Sequence, residues 1–205
     1  MNYSAIVLSG GQSKRFGQNK SLTPVMGKAM ILYVIEAVSP LTDEILVVTD
    51  KEDNRKELSK MLDSSIHILL DEDKLKSPVV GALTGFKYAK GKYSLLLACD
   101  TPLISKNVLS CLLNLTEGYD AVIPKWPNDF IEPLQAAYNT RKAYEASMEA
   151  INNQEFRMKN IILRLKKILY ISTIALSRED ENFHTFFNVN FPQDILEIEK
   201  IVKRR

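Results

Sequence analysis

Short runs of apolar residues alternate with longer segments of mixed polarity along the first 124 residues. Short uninterrupted apolar runs are typical of buried β-strands, whereas apolar residues at helical spacing indicate α-helices. The apolar runs predict strands at residues 4–9, 44–50, 65–71, 93–100 and 119–124. The segments between them predict helices at residues 28–38, 52–62, 77–88 and 105–115. Ser77 followed by Pro78 favours a helix start, because serine caps helices and proline suits their first position.

This alternation predicts the α/β class, built from parallel β–α–β units with helices on both faces of the sheet. Such sheets bind ligands at the carboxyl ends of their strands. Polar residues follow several predicted strands at that point, namely residues 9–20, Asp50, Asp71 and Asp100. We therefore expect a ligand site at this edge of the sheet.

The pattern changes after Pro124. It predicts a strand at 132–138, helices near 140–152 and 155–166, a strand at 167–172, a short strand within 186–190 and a terminal helix from Pro192. Nothing in this part looks like a linker, a repeat or a low-complexity segment. We therefore expect residues 1–205 to form a single α/β domain with a mostly parallel central sheet.

Composition and charge exclude several classes of protein. Apolar residues make up 45% of the 205 residues and charged residues 25%, which is typical of soluble globular proteins. A net charge of +2 gives no broad surface for nucleic acid. The two cysteines, Cys99 and Cys111, lack the spacing of a zinc site. No apolar run spans a membrane, and the N-terminus does not resemble a signal peptide, so we expect a cytoplasmic protein without nucleic-acid or membrane partners.

A glycine-rich loop follows the first predicted strand, where the chain reads SAIVLSGGQSKRFGQNKSL. It fits neither the Walker loop nor the G-x-G-x-x-G dinucleotide motif. Adjacent glycines still allow backbone amides to approach a ligand closely. The loop region also carries four cations and no acidic residue before Glu36: Lys14, Arg15, Lys20 and Lys28. These features favour a triphosphate site, and the alternative is a glycine turn with solvated lysines.

Asp100 ends the most apolar predicted strand, at the edge where ligands bind. A carboxylate there can hold Mg²⁺, which typically takes one or two carboxylates together with phosphate oxygens. The alternative is that Asp100 caps the turn through Thr101 and Pro102. Beside a phosphate loop, the metal interpretation is favoured.

Five segments together resemble the MobA-like nucleotidyltransferases that act on molybdopterin. They read LSGGQSKRFGQNK, ILLDEDKLKSPVVGALTGF, LLLACDTPLIS, EPLQAAY and FFNVNFPQDIL, and they occur in the family's order along essentially the whole chain. The resemblance implies a Rossmann-like, glycosyltransferase-A-like fold. It also implies transfer of GMP from GTP to the terminal phosphate of molybdopterin, the molybdenum-loaded form included, with release of pyrophosphate. Gly10–Gly11 favours GTP, because cytidylyl-transferring members carry Ala-Gly, and a Cβ at position 10 would crowd a purine.

The resemblance implies a role for each matching residue. Lys20, Arg15 and Asp100 would be catalytic, with Mg²⁺ on Asp100 and Mn²⁺ as the alternative metal. Residues 1–124 would form the nucleotide-binding half and residues 125–205 the acceptor-binding half, with other proteins of cofactor biosynthesis as further partners. The nucleotide would contact Leu8, Ser9, Gly10, Gly11, Ser13, Arg15, Lys20, Asp71, Pro78, Gly81 and Asp100.

Asn188 and Asn190 are predicted to bind the acceptor substrate. They flank Val189 in a predicted strand, so both side chains would lie on one face and could contact the metal or the pterin together. The alternative is hydrogen bonding to local backbone. Within the family's motif, their spacing favours molybdopterin as the acceptor.

Several other readings stay open at this stage. The acceptor or base could differ, as in a molybdopterin cytidylyltransferase, a cobinamide-phosphate or phospholactate guanylyltransferase, or a sugar-phosphate enzyme. A nucleotide-binding regulatory module without catalysis is a further alternative. Trp126 is expected to pack rather than to stack on a pterin. The basic segment 157–167 is expected to be a solvated face, Cys99 to lie in the core, His67 to pack in the core or in a strand, and His184 to lie on the surface.

Overall fold

The computed structural model describes residues 2–10, 20–71 and 77–203. Nine strands occur in these ranges: β1 Tyr3–Leu8, β2 Pro24–Val25, β3 Lys28–Ala29, β4 Glu44–Thr49, β5 His67–Leu70, β6 Tyr93–Ala98, β7 Ala121–Lys125, β8 Gln135–Asn139 and β9 Ile168–Ser172. Eight α-helices accompany them: α1 Met30–Val38, α2 Glu52–Met61, α3 Pro78–Tyr88, α4 Lys106–Asn114, α5 Thr140–Asn152, α6 Met158–Ile162, α7 Thr173–Leu176 and α8 Pro192–Lys203. Two 3₁₀ turns lie at Lys20–Leu22 and His184–Phe186.

Seven strands form the central sheet, in the order β5-β4-β1-β6-β8-β7-β9. The pairs β5–β4, β4–β1, β1–β6 and β7–β9 are parallel, whereas β8 runs antiparallel to both β6 and β7. A loop rather than a helix joins β7 to β8, and only antiparallel neighbours can be joined in this way. The sheet is therefore mostly parallel, and the predicted α/β class is confirmed.

Both faces of the sheet are covered, as predicted. Along β1, Ala5 and Val7 enter one hydrophobic core, whereas Ile6 enters the other. Buried residues of α2, α4 and, except for Met30, α1 belong to the first core, and buried residues of α3, α5 and α6 belong to the second. A third, smaller cluster packs α8 against the short β2–β3 hairpin.

Helix α3 approaches β1 closely at Gly85. A Cβ added there would lie 2.3 Å from Cγ2 of Ile6, well inside van der Waals contact. We expect Gly85→Ala to lower the free energy of unfolding by about 1–3 kcal/mol, as overpacking does, measured by urea denaturation. In the Ile6→Ala background the same substitution should cost less. Unchanged or raised stability, the usual result of a glycine-to-alanine change within a helix, would contradict this expectation.

Local differences from the sequence prediction occur before α1 and after Pro124. Helix α1 begins at Met30 because β2 and β3 form a hairpin just before it, with positive φ at Met26 and Gly27. Such a two-residue turn needs positive φ at both positions. Helix α6 is shorter than predicted, and α7 was not predicted. In the described ranges, no helix combines the length and the apolar character needed to span a membrane.

The predicted strand within 186–190 is wrong. This segment follows the 3₁₀ turn His184–Phe186 and has no strand pairing in the part of the chain that the structure describes. Val189 is fully buried, and its N–H donates to the carbonyl of Asp100 at 2.9 Å. The alternating pattern therefore reflects docking of one apolar residue beside β6 and not a sheet strand.

Candidate active site

The carboxyl ends of β1, β4, β5 and β6 meet at one edge of the sheet. Backbone hydrogen bonds continue the sheet just beyond the strands, from Ser9 N–H to Val48 O (2.7 Å), from Asp71 N–H to Thr49 O (2.9 Å) and from Cys99 N–H to Leu8 O (3.1 Å). The first part of the glycine loop is thus fixed beside the residues that follow three neighbouring strands. The predicted grouping of Ser9, Asp50, Asp71 and Asp100 at this edge is confirmed.

Lys20 and Asp100 form an ion pair at the centre of this edge. Lys20 Nζ donates to Asp100 Oδ2 at 2.6 Å, and the two side chains are only 18% and 19% exposed. The other oxygen, Oδ1, is buried and accepts no hydrogen bond from any residue in the described ranges. Two residues of the predicted catalytic set are therefore brought together, with one carboxylate oxygen left for a further ligand.

The turn after β6 does not use the Asp100 carboxylate. Thr101 Oγ1 donates to the carbonyl of Ala98 instead, and the Thr101 carbonyl accepts from the N–H of Ile104. The alternative role of Asp100 as a turn cap is therefore not supported. Burial of the neighbouring Cys99, reinforced by the Asp100 charge, raises the thiol pKa to about 12. Cys99 is thus a protonated core residue, as predicted.

Leu8, Asp71 and Gly81 converge where α3 begins. A Cβ on Gly81 would lie 3.1 Å from Leu8 Cδ2 and 3.7 Å from Asp71 Oδ1. Ser77 caps this helix by accepting from the N–H of Val80 at 3.3 Å, and Pro78 occupies the first helical position with an exposed ring. The predicted helix start is confirmed, and it brings these predicted nucleotide-binding residues to the same edge.

Gly10 lies against Asp50, the residue that follows β4. A Cβ at position 10 would lie 3.4 Å from both the Cβ and the backbone nitrogen of Asp50. Both distances are ordinary van der Waals contacts, so an added Cβ would fit against Asp50 without displacing it. Asp50 was expected at the ligand edge because it directly follows a buried strand, and the structure places it there.

Part of the predicted loop set lies outside the described residues, namely Gly11, Ser13, Lys14 and Arg15. Lys28, the fourth predicted cation, is described and is engaged elsewhere. It forms an ion pair with Glu36 and lies over the ring of Tyr33, 4.0 Å from the centroid. The structure therefore does not place Lys28 with Lys20 and Asp100.

Asn188 and Asn190 lie beside Asp100 because Val189 between them binds the Asp100 carbonyl. The prediction that a strand places both side chains on one face is wrong. Asn188 is half-buried and donates through Nδ2 to the carbonyl of Phe186 at 3.2 Å, whereas Asn190 is exposed. Their role in binding the acceptor stays a prediction.

Trp126 is a packing residue, as expected. Its ring contacts Phe183 and Phe186 at centroid distances of 5.4 and 5.6 Å. Its Nε1–H donates to Glu132 Oε1 at 2.7 Å. Trp126 therefore joins the loop between β7 and β8 to the segment that follows α7.

Three minor expectations need correction. His67 lies in the edge strand β5, as one alternative expected, but it is exposed rather than packed, and His184 is half-buried. In the basic segment, Arg164 is only 16% exposed and forms ion pairs with Glu149 and Glu155, so this segment is not simply a solvated face.

A cluster of three metal-ligating side chains is absent from the described ranges. A single carboxylate with a spare oxygen, as at Asp100, nevertheless fits Mg²⁺ held jointly by substrate phosphates.

Comparisons with known proteins agree with this architecture. The chain is 28% identical over 204 residues to a protein from Natranaerobius thermophilus named "Probable molybdenum cofactor guanylyltransferase", covering 97% of this chain and 96% of that protein. It is 27% identical to a protein of the same name from Methanosarcina acetivorans, covering 94% and 88%.

Solved structures show the same fold. A molybdopterin-guanine dinucleotide biosynthesis protein A from Archaeoglobus fulgidus superimposes with a TM-score of 0.83 at 26% identity, covering 98% of this chain and all of that one. A 4-diphosphocytidyl-2C-methyl-D-erythritol synthase from Anaerococcus prevotii, at 14% identity, shares the fold with a TM-score of 0.73.

A family model described as a MobA-like NTP transferase domain matches residues 5–168. This range contains every strand of the central sheet except parts of β1 and β9, and it contains the Lys20–Asp100 pair. The chain therefore belongs to the family of MobA-like NTP transferase domains and is a nucleotidyltransferase.

Proposed function

We propose that this enzyme transfers GMP from GTP to the terminal phosphate of molybdopterin, with or without bound molybdenum. The products are the guanine dinucleotide form of the cofactor and pyrophosphate. The observation that carries the proposal is the largely buried Lys20–Asp100 pair at the carboxyl edge, within a chain whose relatives bear guanylyltransferase names. A cytoplasmic location and a single domain of residues 1–205 are part of the proposal.

The reaction needs positioning and charge stabilisation rather than a covalent enzyme intermediate. A phosphate oxygen of the acceptor attacks the α-phosphorus of GTP, and the bond from that phosphorus to the bridging oxygen of the β-phosphate breaks. Lys20 exchanges its contact with Asp100 for phosphate oxygens and stabilises the negative charge that develops on them. Arg15 and the amides of the glycine loop act on the same phosphates.

Asp100 fits the role of the residue that holds Mg²⁺. Its buried Oδ1 has no hydrogen-bond partner among the described residues, and a carboxylate is a preferred ligand of this hard cation. Bound there, Mg²⁺ would act as a Lewis acid on phosphate oxygens. Mn²⁺ has the same preference for oxygen ligands and is the alternative.

The strand order supports separate sites for the two substrates. Leu8, Asp71 and Gly81 lie on the β1–β5 side of Asp100 and would hold the nucleotide, in the half formed by residues 1–124. The asparagines around Val189 lie in the half formed by residues 125–205, which would hold the acceptor. Other proteins of cofactor biosynthesis would supply or receive the bound cofactor.

Nucleotide preference tests the proposal directly. The purified protein, mixed with molybdopterin and Mg²⁺, is expected to release pyrophosphate from GTP much faster than from CTP or ATP. Binding of each nucleotide, measured by calorimetry with Mg²⁺, should follow the same order. A preference for CTP would overturn the base, release of pyrophosphate only with another phosphorylated acceptor would overturn the acceptor, and nucleotide binding without pyrophosphate release would favour a regulatory module.

A further inference from the structure

Glu132 places a half-buried carboxylate on the loop between β7 and β8. Its Oε1 accepts the Nε1–H of Trp126 at 2.7 Å. In the described ranges it forms no ion pair, and its Oε2 accepts no hydrogen bond. Burial raises the pKa of Glu132, and the Trp126 hydrogen bond only partly opposes this. A carboxylate held in such surroundings without a cation suggests a binding role, because it costs stability.

Glu132 lies at the same edge of the sheet as Asp100. The N–H of Ala98, at the end of β6, donates to the carbonyl of Leu134 at 3.0 Å. Glu132 and Asp100 are each two residues from this bonded pair. Strands rise by about 3.3 Å per residue, and neighbouring strands lie about 5 Å apart. The Cα atoms of Glu132 and Asp100 are therefore no more than about 20 Å apart.

The sheet order puts Glu132 on the far side of Asp100 from the predicted nucleotide residues. Strand β6 stands between β1 and β8, so Asp100 separates Leu8 and Gly81 from the β7–β8 loop. Trp126 holds this loop against Phe186, and Val189 then docks on the Asp100 backbone. The side of the edge away from the predicted nucleotide residues therefore carries both Asp100 and Glu132.

We propose that Glu132 is a specificity-determining residue that binds the ring of the acceptor substrate. This rests on the proposed function, which makes that ring a pterin. A pterin carries an N–H and an adjacent amino group on one edge of its pyrimidine ring, and both are hydrogen-bond donors. An ionised carboxylate only accepts, so Glu132 matches this edge and disfavours rings that present acceptors there. Trp126 fixes the orientation of the carboxylate and leaves Oε2 available.

Glu132→Gln separates this role from a structural one. Glutamine keeps an oxygen that can accept from the Trp126 N–H. Its second oxygen is replaced by an amide NH₂, which only donates and therefore cannot accept from the ring donors. Hydrogen bonds to charged groups contribute about 1.5–3 kcal/mol, so KM for the acceptor should rise about 10- to 100-fold. KM for GTP should stay unchanged, because Glu132 lies away from the nucleotide side.

Stability supplies an independent readout for the same variant. Because the pKa of Glu132 is raised in the folded protein, the folded state binds this proton more tightly than the unfolded state. Stability is therefore lost as pH rises from the unfolded pKa through the folded pKa, and the ionised carboxylate is unfavourable at neutral pH. Glu132→Gln should then melt at the same temperature as the wild type or higher at pH 7.

Asp129→Asn is the matched control. Asp129 lies in the same loop, has an exposed side chain that pairs with Lys125 at 2.7 Å, and has a positive φ that asparagine also tolerates. The Asp129→Asn substitution removes one carboxylate charge, as Glu132→Gln does, and should leave the KM values for the acceptor and for GTP unchanged. An unchanged acceptor KM in Glu132→Gln, or an equal rise for Asp129→Asn, overturns the inference while GTP turnover still supports the proposed function.

The inference can also be judged if the wild-type protein releases no pyrophosphate, which would refute the proposed function. Free pterin, followed by its own fluorescence, is then titrated into the wild type and Glu132→Gln. Weaker binding by the variant supports recognition of the ring by Glu132. Equal binding, or no binding by either protein, overturns it.

Discussion

Asp100→Asn is expected to lower the rate of Mg²⁺-dependent pyrophosphate release by about 10³-fold or more, the scale on which charge-stabilising groups act. Asparagine preserves the shape of the side chain but removes the charge that would hold Mg²⁺ and that now pairs with Lys20. The catalytic rate should decrease, and the Mg²⁺ concentration needed for half activity should increase. Initial rates measured across a Mg²⁺ titration check both.

Asp129→Asn again serves as the control, because it removes an exposed carboxylate from the same edge of the sheet. It should retain wild-type rates, and circular dichroism should show that both variants are folded. Full Mg²⁺-dependent activity in Asp100→Asn would overturn the metal assignment. Loss of activity with an unfolded spectrum would call for Asp100→Glu, which keeps the charge and should recover part of the Mg²⁺ dependence.

Lys20→Met is expected to lower the rate of GMP transfer by about 10²- to 10³-fold, the usual cost of removing one charge-stabilising donor. Methionine keeps much of the aliphatic length but cannot neutralise phosphate charge. The variant also leaves Asp100 without its counter-ion in a site where both side chains are more than four-fifths buried. Activity and thermal stability should therefore both fall.

A double-mutant cycle tests whether the pair acts as a unit. Residues in direct contact usually show coupling energies of about 0.5–3 kcal/mol, so Lys20→Met with Asp100→Asn should destabilise less than the sum of the single changes. Lys125→Met, which removes an exposed lysine paired with Asp129, is the control for loss of charge. Strict additivity in urea unfolding, or wild-type turnover by Lys20→Met, would contradict the partner exchange proposed for Lys20.

The sequence alone was enough to place most elements and the edge that carries the site. Strands and helices leave local signals, since apolar runs and helical spacing can be read within a dozen residues. Ser77–Pro78 marked the start of α3 for the same reason, because caps act on adjacent backbone groups. The rule that ligands bind at strand carboxyl ends then pointed to Asp71 and Asp100 without any coordinates.

Only the tertiary structure decided which distant side chains meet. Lys20 and Asp100 are 80 residues apart, and their contact depends on β1 and β6 being neighbours in the sheet. Lys28 had the same charge and a nearby position, yet its hairpin directs it to Glu36. The short segment around Val189 had a strand-like pattern but docks on Asp100 through one hydrogen bond. Hydrophobic periodicity shows which face of a segment is buried but not which other segment it packs against. Contacts between distant side chains depend on register and strand order across the whole sheet.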